Sequence, residues 1–150
     1  MKVLDPVSVL LRQKGGDVYS LPSDASVYSA IEMMAEKHVG ALLVVDDGYL
    51  IGIVSERDYA RKVILKGRSL KDTFVREIMT PNPLTIRCDT SIDEAMRTMT
   101  DNHIRHLPVL DSEGHLAGVL SVGDVIKWIV SSQEEAIAHL ERYITGDLYQ

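Results

Sequence analysis

The chain has 150 residues, 45% hydrophobic and 25% charged, a balance typical of a globular protein with a sizeable core. Its formal net charge of −6 argues against nucleic-acid binding, which needs clustered basic residues. A single cysteine, Cys88, excludes an intrachain disulfide framework. No apolar run reaches membrane-spanning length and no signal peptide is recognisable, so we expect a cytoplasmic protein without a membrane partner.

An internal repeat organises the sequence. Residues 24–46 align with residues 89–111 at a shift of 65. One residue inserted at a turn changes the shift to 66, and residues 48–58 then align with residues 114–124. Because one register persists across the unit with a single insertion at a turn, we interpret the chain as two copies of one supersecondary structure. The equivalent pairs include Ser26 and Ser91, His38 and His103, Gly52 and Gly118, Ser55 and Ser121, and Asp58 and Asp124.

The first half of the chain predicts an N-terminal segment, residues 1–16, and a first repeat, residues 17–66. The segment contains a short amphipathic stretch, residues 7–11, and ends at Gly15 and Gly16. The repeat opens with an extended piece at residues 18–20. A helix capped by Ser26 follows, with apolar residues at helical spacing. Two strands, residues 41–45 and 50–54, flank a turn, and a second helix begins near Ser55.

The second half predicts a linker, residues 67–79, and a second repeat, residues 80–131. The linker contains one helical turn at residues 75–79, ended by prolines. The repeat has an extended piece at residues 84–86 and a helix capped by Ser91, with Glu94 as its capping-box partner. Strands follow at residues 107–110 and 116–120, and a second helix begins near Ser121. A C-terminal helix is predicted for residues 132–150. Its apolar face, formed by Ala136, Ile137, Leu140, Ile144 and Leu148, packs on its own domain or forms a subunit contact.

Each copy therefore predicts the order strand–helix–strand–turn–strand–helix. The first two strands are parallel because a helix connects them, and the last two form an antiparallel hairpin. The fold class is α/β (α+β), with a small three-stranded sheet and two helices in each copy. Such a sheet is marginally stable alone. We therefore expect the copies to pack about a pseudo-two-fold axis, with two equivalent clefts between them.

Two short segments carry a resemblance to a known family. Residues 52–58, Gly-Ile-Val-Ser-Glu-Arg-Asp, and residues 118–124, Gly-Val-Leu-Ser-Val-Gly-Asp, resemble the motif Gly-x-x-Ser/Thr-x-x-Asp of the CBS domain. Residues 38–42 and 103–108 resemble the element before the hairpin, and Met79-Thr80-Pro81 resembles the entry to a repeat. The resemblance covers residues 3–130 and implies a tandem CBS pair, or Bateman module. Such modules bind adenosine-containing ligands, often assemble as dimers and regulate other proteins.

The first cleft is expected to hold a nucleotide. A carboxylate accepts both vicinal hydroxyls of a ribose, and a helix N-terminus favours a phosphate. The family completes each cleft across the pseudo-two-fold axis. Arg57, Arg105 and His106, with Arg61 also in reach, favour a charged phosphate here, so this cleft is predicted to bind more tightly. Its predicted residues are Ile53, Ser55, Arg57, Asp58, Thr80, Leu84, Thr85, Ile104, Arg105 and His106.

The second cleft is expected to be roomy but poor in cations, and to hold an adenosine moiety or remain empty. Its predicted residues are Asp17, Val18, Tyr19, Val39, Gly40, Ala41, Val119, Ser121, Gly123 and Asp124. We expect AMP as the regulatory ligand, with ADP, ATP or NAD(H) as alternatives, and no required metal. A homodimer and an unidentified regulated protein are the expected partners.

The same residues also have structural interpretations that require no ligand. A serine at a helix N-cap with an aspartate three residues later stabilises a helix without any ligand. Arg57, Arg61 and Lys62 also suit a solvated helix face. His103 and His106 lack the partners that a metal site needs, and no catalytic motif is present. We therefore expect no enzyme activity. The alternative to a nucleotide sensor is a dimerisation module with degenerate sites. A sensor predicts that Arg57→Ala and Asp58→Ala abolish binding and barely change the melting temperature.

Overall fold

The computed structural model describes residues 4–15 and 17–145. Gly16 and Leu148 lie outside the described residues, as do the side chains of Ala136 and Ile144. The first half contains the following elements: α1 (Val7–Lys14), β1 (Ser20–Leu21), α2 (Val27–Lys37), β2 (Ala41–Asp46), β3 (Tyr49–Ser55), α3 (Glu56–Tyr59) and a π-helical turn (Ala60–Ile64). The second half contains a 3-10 turn (Val75–Glu77), β4 (Thr80–Pro81), β5 (Ile86–Arg87), α4 (Ile92–Asp101), β6 (His106–Leu110), β7 (Leu116–Ser121) and α5 (Val122–Thr145).

The strand pairing confirms the α/β prediction for both repeats. In the first repeat β1 is parallel to β2, and β2 is antiparallel to β3. In the second repeat β5 is parallel to β6, and β6 is antiparallel to β7. The first sheet departs from the expected three strands, because β4 adds antiparallel to the free edge of β3. Gly52 lies opposite Pro81 in this pairing, and its missing side chain admits Met79 and Thr80 to the strand.

Helix capping follows the serine pattern that the sequence predicted. Ser26 accepts a hydrogen bond from the Ser29 N–H, and Ser91 accepts one from the Glu94 N–H. Each bond satisfies a backbone donor that a helix N-terminus otherwise leaves free. The C-terminal prediction differs from the structure. The second helix of repeat two and the predicted tail helix form one continuous helix, α5, because no glycine or proline interrupts residues 124–145.

The segment before each repeat packs on the other repeat. The Val7 and Ser8 N–H groups of α1 donate to the carbonyls of Thr90 and Cys88, at 2.8 and 3.0 Å. In the same way, the linker before the second repeat pairs with the first repeat, where the Val75 N–H donates to the Ala25 carbonyl at 2.8 Å. Segment α1 thus crosses to the distant second repeat, whereas the linker folds back on the first repeat that it follows, and each repeat is completed by a segment outside its own bounds.

The two hydrophobic cores confirm this crossed arrangement. The core of the second repeat contains Val7 and Leu10 of α1 together with residues of α4, β6, β7 and α5. The core of the first repeat contains Val75 and Ile78 of the linker together with residues of α2, β2 and β3. Each core therefore lies between a sheet and its helices. Leu43 and Pro108, at equivalent positions of the two sheets, are buried outside both cores.

Candidate functional site

A cavity of about 550 Å³ lies between the repeats, at the end of β3. Its first wall comes from the β3–α3 junction and the π-helical turn, and its second wall comes from β4 and the loop before β6. The lining residues are Gly40, Ile53, Ser55, Glu56, Arg57, Asp58, Arg61, Lys62, Thr80, Asn82, Pro83, Leu84, Asn102, His103, Ile104, Arg105 and His106. A volume of this size is typical of pockets that hold small molecules.

Asp58 is fixed at this cavity by a capping box and an ion pair. Its Oδ2 accepts hydrogen bonds from the Ser55 N–H at 2.9 Å and the Ser55 hydroxyl at 3.1 Å. Its Oδ1 lies 3.2 Å from Lys62 Nζ, which also donates to the Ile78 carbonyl at 2.8 Å. The capping interpretation of the Ser-x-x-Asp pair is thus confirmed. It does not exclude a ligand, because a carboxylate has about four acceptor positions.

The capping box also changes one expectation. The melting temperature was expected to stay nearly constant in Asp58→Ala. Since Asp58 closes the capping box and pairs with Lys62, its removal costs about 1 kcal/mol of folding free energy. A substitution that keeps the capping oxygen, Asp58→Asn, is the better probe of binding.

The charge of the lining favours an anion. Arg57, Arg61, Lys62 and Arg105 oppose the two acids Glu56 and Asp58, which leaves two excess positive charges with neutral histidines. Among the described residues, none of the three arginines forms an ion pair within 4.0 Å. Unpaired guanidinium groups that line a cavity are available to a phosphate or a carboxylate.

The second Ser-x-x-Asp pair has a different neighbour. Asp124 Oδ2 accepts from the Ser121 N–H at 2.9 Å, as in the first repeat. The same oxygen also lies 2.7 Å from Lys14 Nζ, which donates to the Val119 carbonyl at 2.8 Å. Burial raises the pKa of Asp124, but the hydrogen bonds and charge of Lys14, with the Ser121 N–H, outweigh it, so that the net pKa is lowered.

His106 lies between these two regions. It lines the cavity beside Asp58, and its backbone pairs with Ser121 at the start of β6. Burial lowers the pKa of His106 below its ordinary value; Asp124 raises it, and Lys14 and Arg105 lower it. The imidazole is therefore neutral at pH 7, and it responds to the charges of the second cleft.

A model of the CBS domain matches residues 13–65 and 75–131. The chain belongs to the CBS domain family. It is 40% identical over 149 residues to the mitochondrial CBS domain-containing protein CBSX3 of Arabidopsis thaliana, an alignment that covers 93% of this chain and 72% of that protein. The fold is similar to that of a protein with CBS domains from Burkholderia ambifaria MC40-6 (46% identity, TM-score 0.81, 85% of this chain and 96% of that one). A CBS domain protein of Pyrobaculum aerophilum complexed with AMP is also similar (27% identity, TM-score 0.71, 79% of this chain and 88% of that one).

The CBS pair brings nine of the ten residues predicted for the first cleft to the cavity. The exception is Thr85, which is exposed and absent from the lining. The sequence did not predict five of the lining residues: Glu56, Asn82, Pro83, Asn102 and His103. It also assigned Lys62 to a solvated helix face rather than to the cavity. Most of the missed residues lie next to a predicted one in the sequence. Extending the prediction to sequence neighbours of the named residues would therefore have found them.

The residues predicted for the second cleft are more dispersed. Gly40 lines the first cavity, immediately before β2. Tyr19 contacts Asp17 Oδ2 through its hydroxyl at 3.4 Å, and the Lys37 ammonium lies over its ring. Val119 and Asp124 line two different cavities on either side of Lys14. The expectation of a cation-poor cleft is wrong at Asp124, because the crossed packing of α1 delivers Lys14 to this carboxylate.

The described part of the chain contains no cluster of three or more His, Cys, Asp or Glu side chains suited to a metal ion. None of its helices has the length and apolar character needed to cross a bilayer.

Proposed function

We propose that this CBS pair is a regulatory module that binds an adenine nucleotide, AMP first of all, in the cavity beside Asp58. One observation carries the proposal: a cavity between the repeats combines a fixed carboxylate with three guanidinium groups that have no ion-pair partner among the described residues. A ribose and a phosphate need these two kinds of partner on one ligand.

The lining provides a complementary group for each part of AMP. One ribose hydroxyl donates to the acceptor position of Asp58 that Ser55 and Lys62 leave free. The phosphate lies toward Arg57, Arg61 and Arg105, whose planar donors match phosphate oxygens. Ile53 and Ile104 come from opposite repeats and flank the adenine. Their aliphatic side chains suit the apolar faces of its ring. ADP, ATP and NAD(H) share this adenosine core and remain the alternatives.

The relatives support this choice of ligand. The Pyrobaculum aerophilum protein that shares the fold was solved with AMP, and this chain supplies residues of fitting charge at its own cavity. Regulation follows from the position of the cavity. Because both repeats contribute walls, a ligand favours the arrangement of the repeats that encloses it, and this population shift changes the surface offered to a partner protein. No catalytic role is proposed, and the cytoplasmic location stays a prediction.

The test is calorimetry with AMP, ADP, ATP, NAD⁺ and adenosine on the purified, nucleotide-free chain. We expect AMP to bind with a lower dissociation constant than adenosine, since only AMP engages the arginines. Arg57→Met should weaken AMP by about tenfold and leave adenosine unchanged, as expected for one lost charge-assisted contact. Arg76→Met, which removes an arginine that lies over the Phe74 ring, is the matched control. Equal affinity for AMP and adenosine, or no binding of either, would contradict the proposal.

Dimer formation has its own support. Helix α5 exposes Ile126, Val130, Ile137 and Leu140, each with 48–57% of its surface accessible, at spacings that place them on one face. This exposure contradicts packing of the tail on its own domain and favours a subunit contact between two copies. A monomer in analytical ultracentrifugation would contradict it. A dimer that binds no nucleotide would instead favour the alternative function, a structural pairing module.

A further inference from the structure

We infer that Lys14 is an internal occupant of the second cleft, and that an adenosine-containing ligand binds beside Asp124 only after displacing it. This inference rests on the proposed function, since it assigns the same ligand class to the second cleft. It adds a regulatory device that the Asp58 cleft lacks: a side chain from α1 competes with the ligand for one carboxylate.

The contacts of Lys14 define the competition. Its Nζ donates to Asp124 Oδ2 at 2.7 Å and to the Val119 carbonyl at 2.8 Å. Asp124 and Val119 are the register equivalents of Asp58 and Ile53, which line the proposed nucleotide cavity. The ammonium thus bonds two groups, a carboxylate and a strand carbonyl, at positions equivalent to those where the first cleft would receive a ribose and a base.

In the second repeat no ammonium on the helix of Asp124 takes the place of this lysine, since Lys127, which lines a cavity with Asp124, forms no ion pair within 4.0 Å among the described residues. In the first repeat Lys62, four residues after Asp58, pairs with the carboxylate. The register equivalent of Lys62 is Trp128, whose indole N–H is buried without a hydrogen-bond partner among the described residues. Asp124 therefore obtains its ammonium from another element, and such a contact breaks when that element moves.

The construction of α1 lets its last residue move while its first stays fixed. Val7 and Leu10 are buried in the second core, and the Val7 and Ser8 N–H groups are bound to the second repeat. Lys14, by contrast, is the final residue of the helix, and its side chain is 37% exposed. The Gly15 that follows adopts a positive φ of 94°, a conformation that glycine permits most readily. The ammonium can leave Asp124 without displacement of the buried residues.

Four forms of the chain test the inference by calorimetry with AMP: wild type, Lys14→Met, Asp58→Asn and the double variant Lys14→Met/Asp58→Asn. Methionine keeps the aliphatic length of lysine and removes its charge. Arg12→Met is the matched control, because it removes a cation from the same helix. Within the described ranges, Arg12 bonds to the Ser8 carbonyl of α1 alone. Circular dichroism and urea unfolding establish that each variant is folded.

We expect one high-affinity AMP site per chain in wild type and Arg12→Met, two in Lys14→Met, and none in Asp58→Asn, where AMP should bind about 100-fold more weakly. The double variant should regain one AMP through the second cleft, with an affinity at least about tenfold above that of Asp58→Asn. A folded double variant that binds no AMP overturns the inference. If wild type binds one AMP and Lys14→Met still binds one, the competition is wrong and the proposed function stands. If wild type binds none and Lys14→Met binds one, the proposed first site is wrong and the competition stands.

Discussion

The two clefts begin from the same local structure and end with different neighbours. Ser55 and Asp58 in one repeat, and Ser121 and Asp124 in the other, form the same backbone hydrogen bonds at the start of a helix. Around Asp58 the lysine comes from the π-helical turn that continues α3, and three arginines have no ion-pair partner among the described residues. Around Asp124 the lysine comes from α1. The comparison teaches that a duplicated motif fixes the carboxylate, whereas the unrepeated segments around it decide what the carboxylate can bind.

The largest difference between the clefts should appear in paired asparagine variants. Asp58→Asn keeps a capping oxygen but removes the charge that accepts a ribose hydroxyl, so AMP should bind about 100-fold more weakly. Asp124→Asn makes the same chemical change in a cleft that Lys14 already fills, and its AMP affinity should equal that of wild type. Calorimetry at fixed ionic strength measures both. Equal losses in the two variants would mean that the clefts are functionally equivalent.

The covered glycines of β3 and β7 provide a second comparison, in stability. A Cβ at Gly52 would overlap the Met79 sulfur and lie 3.1 Å from the Thr80 carbonyl oxygen, a backbone atom of β4. The three atoms nearest to a Cβ at Gly118 would all belong to the Leu11 side chain, the closest at 3.1 Å. Because a side chain moves more easily than a paired strand, Gly52→Ala should cost about 2 kcal/mol of unfolding free energy and Gly118→Ala about 1 kcal/mol. Urea denaturation measures both free energies of unfolding. A larger loss in Gly118→Ala than in Gly52→Ala would contradict this interpretation.

The smallest expected effect concerns the charge that links the clefts. Burial lowers the pKa of His106, and Lys14 adds to this while Asp124 opposes it. Lys14→Met should therefore raise the pKa of His106, followed through its imidazole protons by NMR. Arg12→Met should leave it unchanged. No change in Lys14→Met would show that the two clefts are electrically independent.

The sign of the accompanying stability change follows from the same shift. With its folded pKa below the ordinary value of 6.5, His106 is neutral in the folded chain while the unfolded chain takes up a proton. The stability that depends on neutral His106 is fully present above pH 6.5. It is lost as the pH falls below 6.5 toward the folded pKa of His106. Lys14→Met raises the folded pKa of His106 and should therefore reduce the stability that the chain loses below pH 6.5.

Much of the fold was predictable because its signals are local. Ser26 and Ser91 capped helices as expected, and the alternation of strand, helix and turn residues located both hairpins. Asp58 and Arg57 could be predicted because residues 53–58 place both at the end of one strand, whereas Arg105 was expected only from the cleft that the family resemblance implies. The addition of β4 was not predicted, since it depends on the space that Gly52 leaves for Met79 and Thr80. The continuity of α5 was not predicted either, although no glycine or proline ends the helix between residues 124 and 145.

The environment of the second carboxylate could not be predicted for a different reason. Lys14 and Asp124 are 110 residues apart in the sequence, and nothing near Lys14 resembles a binding motif. Their contact results from α1 crossing to the second repeat, which depends on the burial of Val7 and Leu10 in a core made largely of later residues. A repeat pattern aligns equivalent positions, but it carries no information on segments that lack a counterpart motif.

The crossed packing of α1 also has a consequence for how the protein is made. Val7 and Leu10 are synthesised before the second repeat, which supplies the partners that bury them. The newborn chain therefore carries an exposed amphipathic helix until the second repeat has emerged, because domains form in the order in which they emerge. Its docking closes a long loop, since the Val7 N–H bonds to the Thr90 carbonyl, and contacts so distant in the sequence form slowly. Lys14 therefore reaches Asp124 only after the second repeat has been synthesised.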